Sequence, residues 1–307
     1  VSAPIAFTVD NTSGQKNICD LWKSHYNNIL NSTNNDKCKQ KALSRLMYST
    51  SPDSPFTPDK IASVIKDLKN GQACGRDRIQ SEHFKYGSNK LSVLLCLLFN
   101  AMIRHGYLCE GLMDTVLIPV VKDKKGDLSC KDNYRPIAIT SVISKLLESV
   151  ILSRYHFCLL TCDNQFGFKE DHSTYLCTFM LKQVVDYYNK KSSPVYICYL
   201  DAAKAFDHLN FWILFDKLLD RGLPVIIVRL LIFWYTNQKF IVRWGSCVSQ
   251  TFKASNGVRQ GGVLSPHFFN MYVDGFSDRL NKSCKGCVIN NVPINHLMYA
   301  DDTVLLA

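Results

Sequence analysis

The chain has 307 residues, of which 47% are hydrophobic, and this length and composition allow a sizeable core in one large domain or two coupled subdomains. Its longest apolar stretches, residues 91–103 and 224–235, are too short to span a bilayer or are interrupted by Arg229, which excludes a membrane span within them. The formal net charge of +10 is distributed along the chain, which favours a folded surface for nucleic acid over a disordered basic arm, although ordinary soluble proteins also carry such an excess.

The amino-terminal part of the sequence predicts a linker followed by a folded domain. Residues 1–54 are rich in Asn, Ser, Thr and Lys and contain one amphipathic stretch, Ile18 to Leu30, so we expect a linker that carries a docking helix. Thr57 as N-cap and Pro58 in the first turn then mark the start of a helix. The structured domain is therefore expected to begin near this helix.

Hydrophobic periodicity predicts both helices and strands through the rest of the chain. Helices are expected at residues 141–157, 174–190 and 211–219, and from an N-cap at Ser265 and a first-turn Pro266 to about residue 280. Strands are expected at residues 116–121 and 195–200, and a hairpin at residues 240–244 and 248–253.

Asp201 directly follows an apolar run, Val195 to Leu200, that is rich in β-branched and aromatic residues and predicts a buried strand. A carboxylate at this position could cap a helix that begins in the residues after it, which is the simpler interpretation. It could also bind a metal ion at the end of the strand. The local sequence leaves both interpretations open.

Asp301 and Asp302 lie between two short apolar runs, residues 295–299 and 303–307, that predict two strands joined by a tight hairpin turn. Adjacent carboxylates repel each other, so they either face water, as Asp commonly does in turns, or bind divalent cations. With a third carboxylate from Asp201, they could hold two Mg²⁺ ions about 3.5 to 4 Å apart, the arrangement found in two-metal polymerase chemistry.

Thirteen cysteines, an odd number, leave at least one thiol unpaired in a monomer, and most of them lie inside apolar runs. We expect buried structural thiols in a reducing compartment. Cys284 and Cys287 have the spacing of a zinc knuckle, but no second Cys or His pair lies at a suitable distance, so zinc binding is not expected. The apolar-run cysteines include Cys96, Cys158, Cys177 and Cys198.

Five segments, taken together and in this order, resemble motifs of the reverse transcriptases of non-LTR (LINE-like) retrotransposons. The finger-like segments are residues 133–141 (NYRPIAITS) and 164–168 (NQFGF), and the palm-like segments are residues 200–207 (LDAAKAFD), 256–266 (NGVRQGGVLSP) and 299–302 (YADD). Any one of these strings could occur in an unrelated protein, but their order leaves little room for coincidence. The resemblance covers the chain from about residue 55 to its end.

The resemblance implies an α+β right-hand polymerase fold, with fingers and palm and an antiparallel palm sheet packed by helices. We expect residues 55–194 to form mainly the fingers and residues 195–307 mainly the palm. Because the first residue is Val1 and the acidic pair stands near the last residue, we expect the chain to be cut at both ends, without the family's upstream endonuclease and downstream thumb.

The resemblance also implies the composition of a metal site. Asp201 and Asp301 would bridge two Mg²⁺ ions, for which Mn²⁺ is a possible substitute, and the backbone carbonyl of Ala202 would be a further ligand. Asp302 would support the site electrostatically. The three carboxylates would thereby be the catalytic residues.

Contacts to the substrate are implied for four further residues. Phe206 would lie against the 2′ position of the sugar, and Gln260 would contact the pair of incoming nucleotide and template base. Lys122 and Arg135 would contact the triphosphate, since cationic groups neutralise its charge. The alternatives are a core position for Phe206, a simple turn at Gln260 and a solvated basic face for Lys122 and Arg135.

Contacts to the template are implied for Gln165, Phe166, Gly167 and Phe168. The aromatic rings of this segment could stack on bases, but Phe at this spacing could equally belong to the core. The sequence does not decide between these positions.

The resemblance therefore predicts an RNA-directed DNA polymerase that uses an RNA template, a DNA primer and dNTPs, with no membrane partner. An intracellular location, in cytoplasm and nucleus, is what the family implies, and the oligomeric state is not predicted. For a chain without a thumb we expect weak or no processive synthesis. Three alternatives stay open: an intron maturase, an inactive relic that only binds nucleic acid, and a structural or interaction protein.

Overall fold

The computed structural model describes residues 6–33, 36–47, 55–283 and 285–307, and it shows an α+β protein. The helices are α1 (Gln15–Ile29), α2 (Asp36–Met47), α3 (Pro58–Lys66), α4 (Ser81–Lys85), α5 (Lys90–His105), α6 (Val142–Tyr155), α7 (Thr174–Lys190), α8 (Phe211–Asp220), α9 (Val225–Asn237) and α10 (Ser265–Ser283). The strands are β1 (Thr8–Val9), β2 (Thr12–Ser13), β3 (Asp114–Val121), β4 (Tyr134–Thr140), β5 (Ile197–Leu200), β6 (Lys239–Trp244), β7 (Cys247–Val248), β8 (Phe252–Lys253), β9 (Val288–Ile289), β10 (Val292–Pro293), β11 (His296–Tyr299) and β12 (Asp302–Leu306).

Two compact units divide the chain, and each combines two separate stretches of sequence. The first unit comprises the described residues up to His156 together with Phe206–Ser265, and the second comprises Phe157–Ala205 and Pro266–Ala307. The predicted division at residues 54 and 194 into linker, fingers and palm stays a prediction. No helix among the described residues is long and apolar enough to cross a membrane.

The first unit is built on a five-stranded sheet in the order β4-β3-β6-β7, with β8 also paired to β6. The β3–β6 pair is parallel and the other pairs are antiparallel. Helix α1 packs on this sheet through an apolar stripe, which the spacing of Ile18, Trp22 and Tyr26 predicts. Trp22 is fully buried, and its ring centroid lies 5.0 Å from that of Tyr134 and 6.0 Å from that of Trp244. The amphipathic stretch is therefore part of a core.

The second unit contains a three-stranded antiparallel sheet in the order β11-β12-β5. Helix α7 packs against it through Val184, in an apolar cluster that also contains Phe166, Leu297 and Leu306. The predicted helix at residues 174–190 is confirmed by α7, whose N-cap Ser173 accepts a hydrogen bond from Leu176 N at 3.1 Å. This sheet carries the acidic residues that the sequence singled out.

The prediction that β5 is a buried strand is wrong. All four of its residues are exposed, and Tyr199 is 70% exposed. The reason is its place at the edge of the sheet, since β5 pairs with β12 alone among the described strands. The apolar run indicated a strand, but periodicity cannot tell whether another layer covers it.

The cysteines follow the expectation only in part. The described cysteines are all free, and Cys96 and Cys158 are buried. Cys177 is half-buried and Cys198 is exposed, because it lies on the edge strand β5, so these two are not the buried thiols that their apolar surroundings predicted. Cys284 of the predicted zinc-knuckle spacing lies outside the described residues.

Candidate active site

The acidic residues lie at the ends of three strands, and these strand ends lie on the same side of the second unit's sheet. Strand β5 pairs with β12 so that Leu200 stands opposite Thr303, and β11 pairs with β12 so that Tyr299 stands opposite Asp302. Asp201 follows Leu200 directly. The antiparallel register therefore places the end of β5 beside the β11–β12 turn, although a hundred residues of chain separate them.

The turn between β11 and β12 consists of two residues, Ala300 and Asp301. Two-residue hairpins require a left-handed backbone to match the twist of the strands, and Ala300 has φ 58°. Asp301 thus lies at the tip of the hairpin, and Asp302 is the first residue of β12. The predicted hairpin is confirmed, with its turn one residue shorter than the expected three-residue corner.

Asp201 does not cap a helix. Residues 203–208 form turns, and the next helix, α8, begins at Phe211 with its N-cap at Asn210. The Asn210 side chain accepts hydrogen bonds from Trp212 N at 2.9 Å and Ile213 N at 3.2 Å. The capping alternative for Asp201 is therefore wrong, because Asn210, nine positions later, caps the helix.

Electrostatic repulsion acts between the three carboxylates. Asp301 is half-buried, and burial raises the pKa of its carboxyl above the usual 3.8. A backbone hydrogen bond to Asp301 opposes this effect, and the negative charges of Asp302 and Asp201 add smaller contributions that raise the pKa. A cation beside Asp301 would offset this repulsion.

The donor chemistry fits a divalent metal, but the side chains as placed do not form a ready coordination cage. Carboxylate oxygens are the ligands that Mg²⁺ prefers. Among the residues that the structure describes, no group of three or more His, Cys, Asp or Glu side chains is arranged to hold a metal ion. Asp201 and Asp302 are exposed, so a change of rotamer can redirect their carboxylates at little cost. Ala202, whose carbonyl the sequence analysis placed in the site, directly follows Asp201 and is exposed.

The segment predicted to contact the template lies against the hairpin turn. Gln165 is 2% exposed and Phe166 is 6% exposed, and Phe166 belongs to the apolar cluster under the sheet. Gly167 is packed so closely on the turn that an added Cβ would lie 2.3 Å from Ala300 N. Phe168, in contrast, is 48% exposed. The structure gives Gln165 and Phe166 interior positions that the sequence did not decide, while template contact stays a prediction for the segment.

The other predicted site residues belong to the first unit. Gln260 lies in a loop that is anchored at several points: its carbonyl accepts a hydrogen bond from Ala138 N at 2.7 Å, and its Nε2 donates to Asp207 Oδ1 at 2.9 Å. Gly261 has φ 117°, and a Cβ there would lie 2.8 Å from the Ala138 carbonyl oxygen. Phe206 is half-buried, and its carbonyl accepts from Val258 N at 2.8 Å.

Lys122 and Arg135 are both exposed at the same end of the β3–β4 ladder. Val120 stands opposite Arg135 in this ladder, and Lys122 follows two residues later. The ammonium group of Lys122 donates to the Asp132 carbonyl at 3.0 Å. Two cations near one end of a ladder are compatible with binding a polyanion, and equally with a solvated basic face.

One buried ion pair was not predicted from the sequence. Glu148 in α6 pairs with Arg259 in the Gly-rich segment, and their side chains are 2% and 1% exposed. Glu148 also accepts a hydrogen bond from Val263 N at 2.5 Å, so it anchors this segment at two points. The available signal was the one acidic residue in the predicted helix at residues 141–157, directly after Leu146 and Leu147.

The sequence of this chain is similar to those of polymerases from mobile elements and matches one protein family. Residues 122–307 match the family described as "Reverse transcriptase (RNA-dependent DNA polymerase)". The chain is similar to the "RNA-directed DNA polymerase from mobile element jockey" of Drosophila funebris, with 28% identity over 267 residues, 83% of this chain and 28% of the relative. It is also similar to the "Probable RNA-directed DNA polymerase from transposon X-element" of Drosophila melanogaster, with 28% identity over 76% of this chain and 26% of the relative.

A third relative is the "Retrovirus-related Pol polyprotein from type-1 retrotransposable element R2" of Nasonia vitripennis, with 29% identity over 78% of this chain and 23% of the relative. The chain thus spans about a quarter of the length of the curated relatives it matches. These matches confirm the resemblance that the five motifs indicated.

Proposed function

The chain belongs to the reverse transcriptase (RNA-dependent DNA polymerase) family, and from this premise we propose that it supplies the carboxylates for RNA-templated transfer of nucleotides from dNTPs to a primer 3′-hydroxyl. The whole protein's activity belongs to this proposal because the curated relatives are about four times as long. Reverse transcriptases are in general metal-dependent enzymes.

The observation that supports this proposal most directly is the register of the second unit's sheet. Leu200 pairs with Thr303, and Tyr299 pairs with Asp302. This register puts the end of β5 beside the tip of the hairpin. Burial is the main cause of the raised pKa of Asp301, and the smaller contributions from the charges of Asp302 and Asp201 support the proposal that the three carboxylates lie near one another. Fold stability alone gives no reason to keep like charges together.

The proposed metal ligands are Asp201, Asp301 and the carbonyl of Ala202, with Asp302 contributing negative charge. When bound, two Mg²⁺ ions would activate the primer hydroxyl and neutralise the charge of the leaving pyrophosphate. The chain's own part is to hold oxygen ligands on strand ends, where the backbone is fixed by the sheet, since positioning and charge neutralisation supply most of the catalysis in phosphoryl transfer.

Substrate contacts in the first unit are a separate part of the proposal. We propose that Lys122 and Arg135 bind the triphosphate, that Gln260 contacts the nucleotide and that Phe206 discriminates against a 2′-hydroxyl. The exposure of both cations and the anchored loop that carries Gln260 support these roles. Phe206→Ala should therefore raise incorporation of ribonucleotides relative to deoxyribonucleotides, which a competition between dTTP and UTP measures.

Single-nucleotide primer extension on poly(rA)/oligo(dT) tests the proposed function. Asp301→Asn should lower incorporation by about 100-fold or more, because it removes a negatively charged ligand of the proposed metal ions, whose positive charge would stabilise the transferring phosphoryl group. The matched control is Asp278→Asn, the same chemical change at an exposed position of α10, which should leave incorporation unchanged.

Two outcomes contradict the proposal for this chain. Equal incorporation by the unmodified chain and Asp301→Asn would eliminate the enzyme hypothesis and favour a protein that only binds nucleic acid. Absence of RNA binding even at low salt would favour a structural or interaction protein, since phosphate contacts are strongest there.

A further inference from the structure

The side chain of Gln165 holds both backbone polar groups of Ala300, the residue that precedes Asp301. Its Oε1 accepts a hydrogen bond from Ala300 N at 2.8 Å, and its Nε2 donates to the Ala300 carbonyl at 3.1 Å. The same Oε1 accepts from Gly167 N at 2.8 Å. Because Gln165 is only 2% exposed, water does not compete with these bonds, and the amide group is committed to the turn.

The turn needs such a restraint. Ala300 has φ 58°, a left-handed conformation that its Cβ disfavours and that glycine or asparagine adopts more readily. Strained backbone persists where the surrounding structure holds it, and such strain concentrates at functional sites. Hydrogen bonds to both the N–H and the carbonyl of Ala300 fix the direction in which the chain enters Asp301.

Further hydrogen bonds fix the segment that contains Gln165. Asn270 of α10, 3% exposed, donates from Nδ2 to the Gly167 carbonyl at 2.7 Å. Gly167 in turn lies so close to the turn that a Cβ would meet Ala300 N at 2.3 Å. Backbone bonds between Phe166 N and Met298 O, at 2.7 Å, and between Met298 N and Asn164 O, at 2.8 Å, tie the whole segment to β11. Helix α10 therefore supports the β11–β12 turn through residues 164–167.

We propose that Gln165 is a positioning residue for the Asp301 carboxylate: it clamps the Ala300 peptide so that Asp301 is presented for metal binding, and it does not contact the template. This role rests on the proposed function, in which Asp301 is a metal ligand. It differs from the template contact that the sequence implied, because a buried amide that is satisfied by Ala300 and Gly167 has no exposed face for a base.

Gln165→Met tests the proposal, because methionine keeps the length and volume of the side chain but forms none of these bonds. We expect kcat in single-nucleotide extension to fall by about 10- to 100-fold, the range for losing the support of a metal ligand, with KM for the template-primer unchanged. The Mn²⁺ concentration for half-saturation, measured without nucleic acid from paramagnetic broadening, should rise by a similar factor. Hydrogen exchange of the Ala300 amide should accelerate about tenfold or more.

Two further variants separate positioning from loss of folding. Asn164→Leu removes two side-chain bonds away from the turn, from Asn164 Nδ2 to the His296 carbonyl at 2.9 Å and from Asn281 Nδ2 to Asn164 Oδ1 at 3.3 Å, so it should change none of the three readouts. Gly167→Ala pushes on Ala300 while leaving the Gln165 side chain in place, so it should reproduce the fall in kcat. Unchanged exchange in the α7 amides of each variant would establish that the second unit is folded.

Three results would overturn the proposal: a raised KM for the template-primer with kcat unchanged, which would assign Gln165 to template contact; unchanged protection of the Ala300 amide in Gln165→Met; or an unchanged Mn²⁺ midpoint. If the unmodified chain incorporates no nucleotide, the proposed function fails on its own. The exchange and Mn²⁺ measurements then still decide whether Gln165 positions Asp301.

Discussion

Replacing Glu148 by Gln should destabilise the first unit strongly, because it leaves the guanidinium of Arg259 buried without its counter-charge. The two side chains are 2% and 1% exposed, so neither ion is hydrated, and each offsets the desolvation cost of the other. In the unmodified chain a Glu148 oxygen accepts a hydrogen bond from Val263 N at 2.5 Å, and the oxygen of the Gln side chain can still accept this bond. Its NH2 group then faces the guanidinium where Glu148 has its second oxygen, so the variant loses both the counter-charge and the hydrogen bond from Arg259.

The magnitude follows from these contacts. Breaking a buried pair by removing one partner costs about 3–5 kcal/mol. The guanidinium also lies 4.6 Å from the centroid of the Trp234 ring, and a desolvated cation–π contact of about 2 kcal/mol remains in the variant, which favours the lower end of that range. About 3 kcal/mol is a large part of a typical stability of about 5–15 kcal/mol. With a urea dependence of about 1–3 kcal/mol per molar, the midpoint should fall by about 1–3 M.

Urea unfolding followed by tryptophan fluorescence measures this effect, since all four tryptophans lie in the first unit. Glu110→Gln is the matched control: this carboxylate is 76% exposed and lies 3.4 Å from Lys239 Nζ, so its loss should cost less than about 1 kcal/mol. Replacing both Glu148 and Arg259 by Met should cost less than Glu148→Gln alone, because no unpaired charge remains. If Glu148→Gln unfolds at the same urea concentration as Glu110→Gln, the reasoning from burial is refuted.

Three further predictions concern stability. Asp301→Asn should stabilise the second unit at pH 7, since burial and like charges raise the pKa of Asp301 and so penalise its ionised form; the gain should vanish below pH 3.8, and urea unfolding followed by circular dichroism at both pH values checks this. Lower pH should destabilise the same unit, because burial lowers the pKa of His296 and the unfolded chain therefore takes up a proton near pH 6.5 before the folded chain does. The loss of stability should grow as the pH falls from 6.5 towards the pKa of His296 in the folded chain. His296→Gln should reduce the dependence of the urea midpoint on pH but not abolish it, since burial also lowers the pKa of His267. Trp22→Ala should cost the first unit about 3–5 kcal/mol by opening a cavity between α1 and its sheet, and an unchanged urea midpoint would contradict the place of α1 in that core.

Local signals in the sequence were sufficient for many elements. Hydrophobic periodicity predicts α7 with the observed bounds, and the start signal at Ser265 and Pro266 lies within one residue of the observed start of α10. The two short apolar runs at residues 295–299 and 303–307 predict a hairpin, and the turn is observed between them. These elements depend on contacts between residues a few positions apart, so a short window of sequence contains the physics that forms them.

Tertiary structure alone decided which residues each element meets. The register of β5 against β12 brings Asp201 to Asp301, the bonds of Gln165 reach a turn 135 residues later, and Glu148 finds its counter-ion 111 residues away. It also left β5 exposed, although its residues are as apolar as those of a core strand. The sequence alone determined the family, the α+β class and the acidic residues. Pairing across long separations depends on loop closure and on competition among many apolar surfaces, so the whole fold selects these partners.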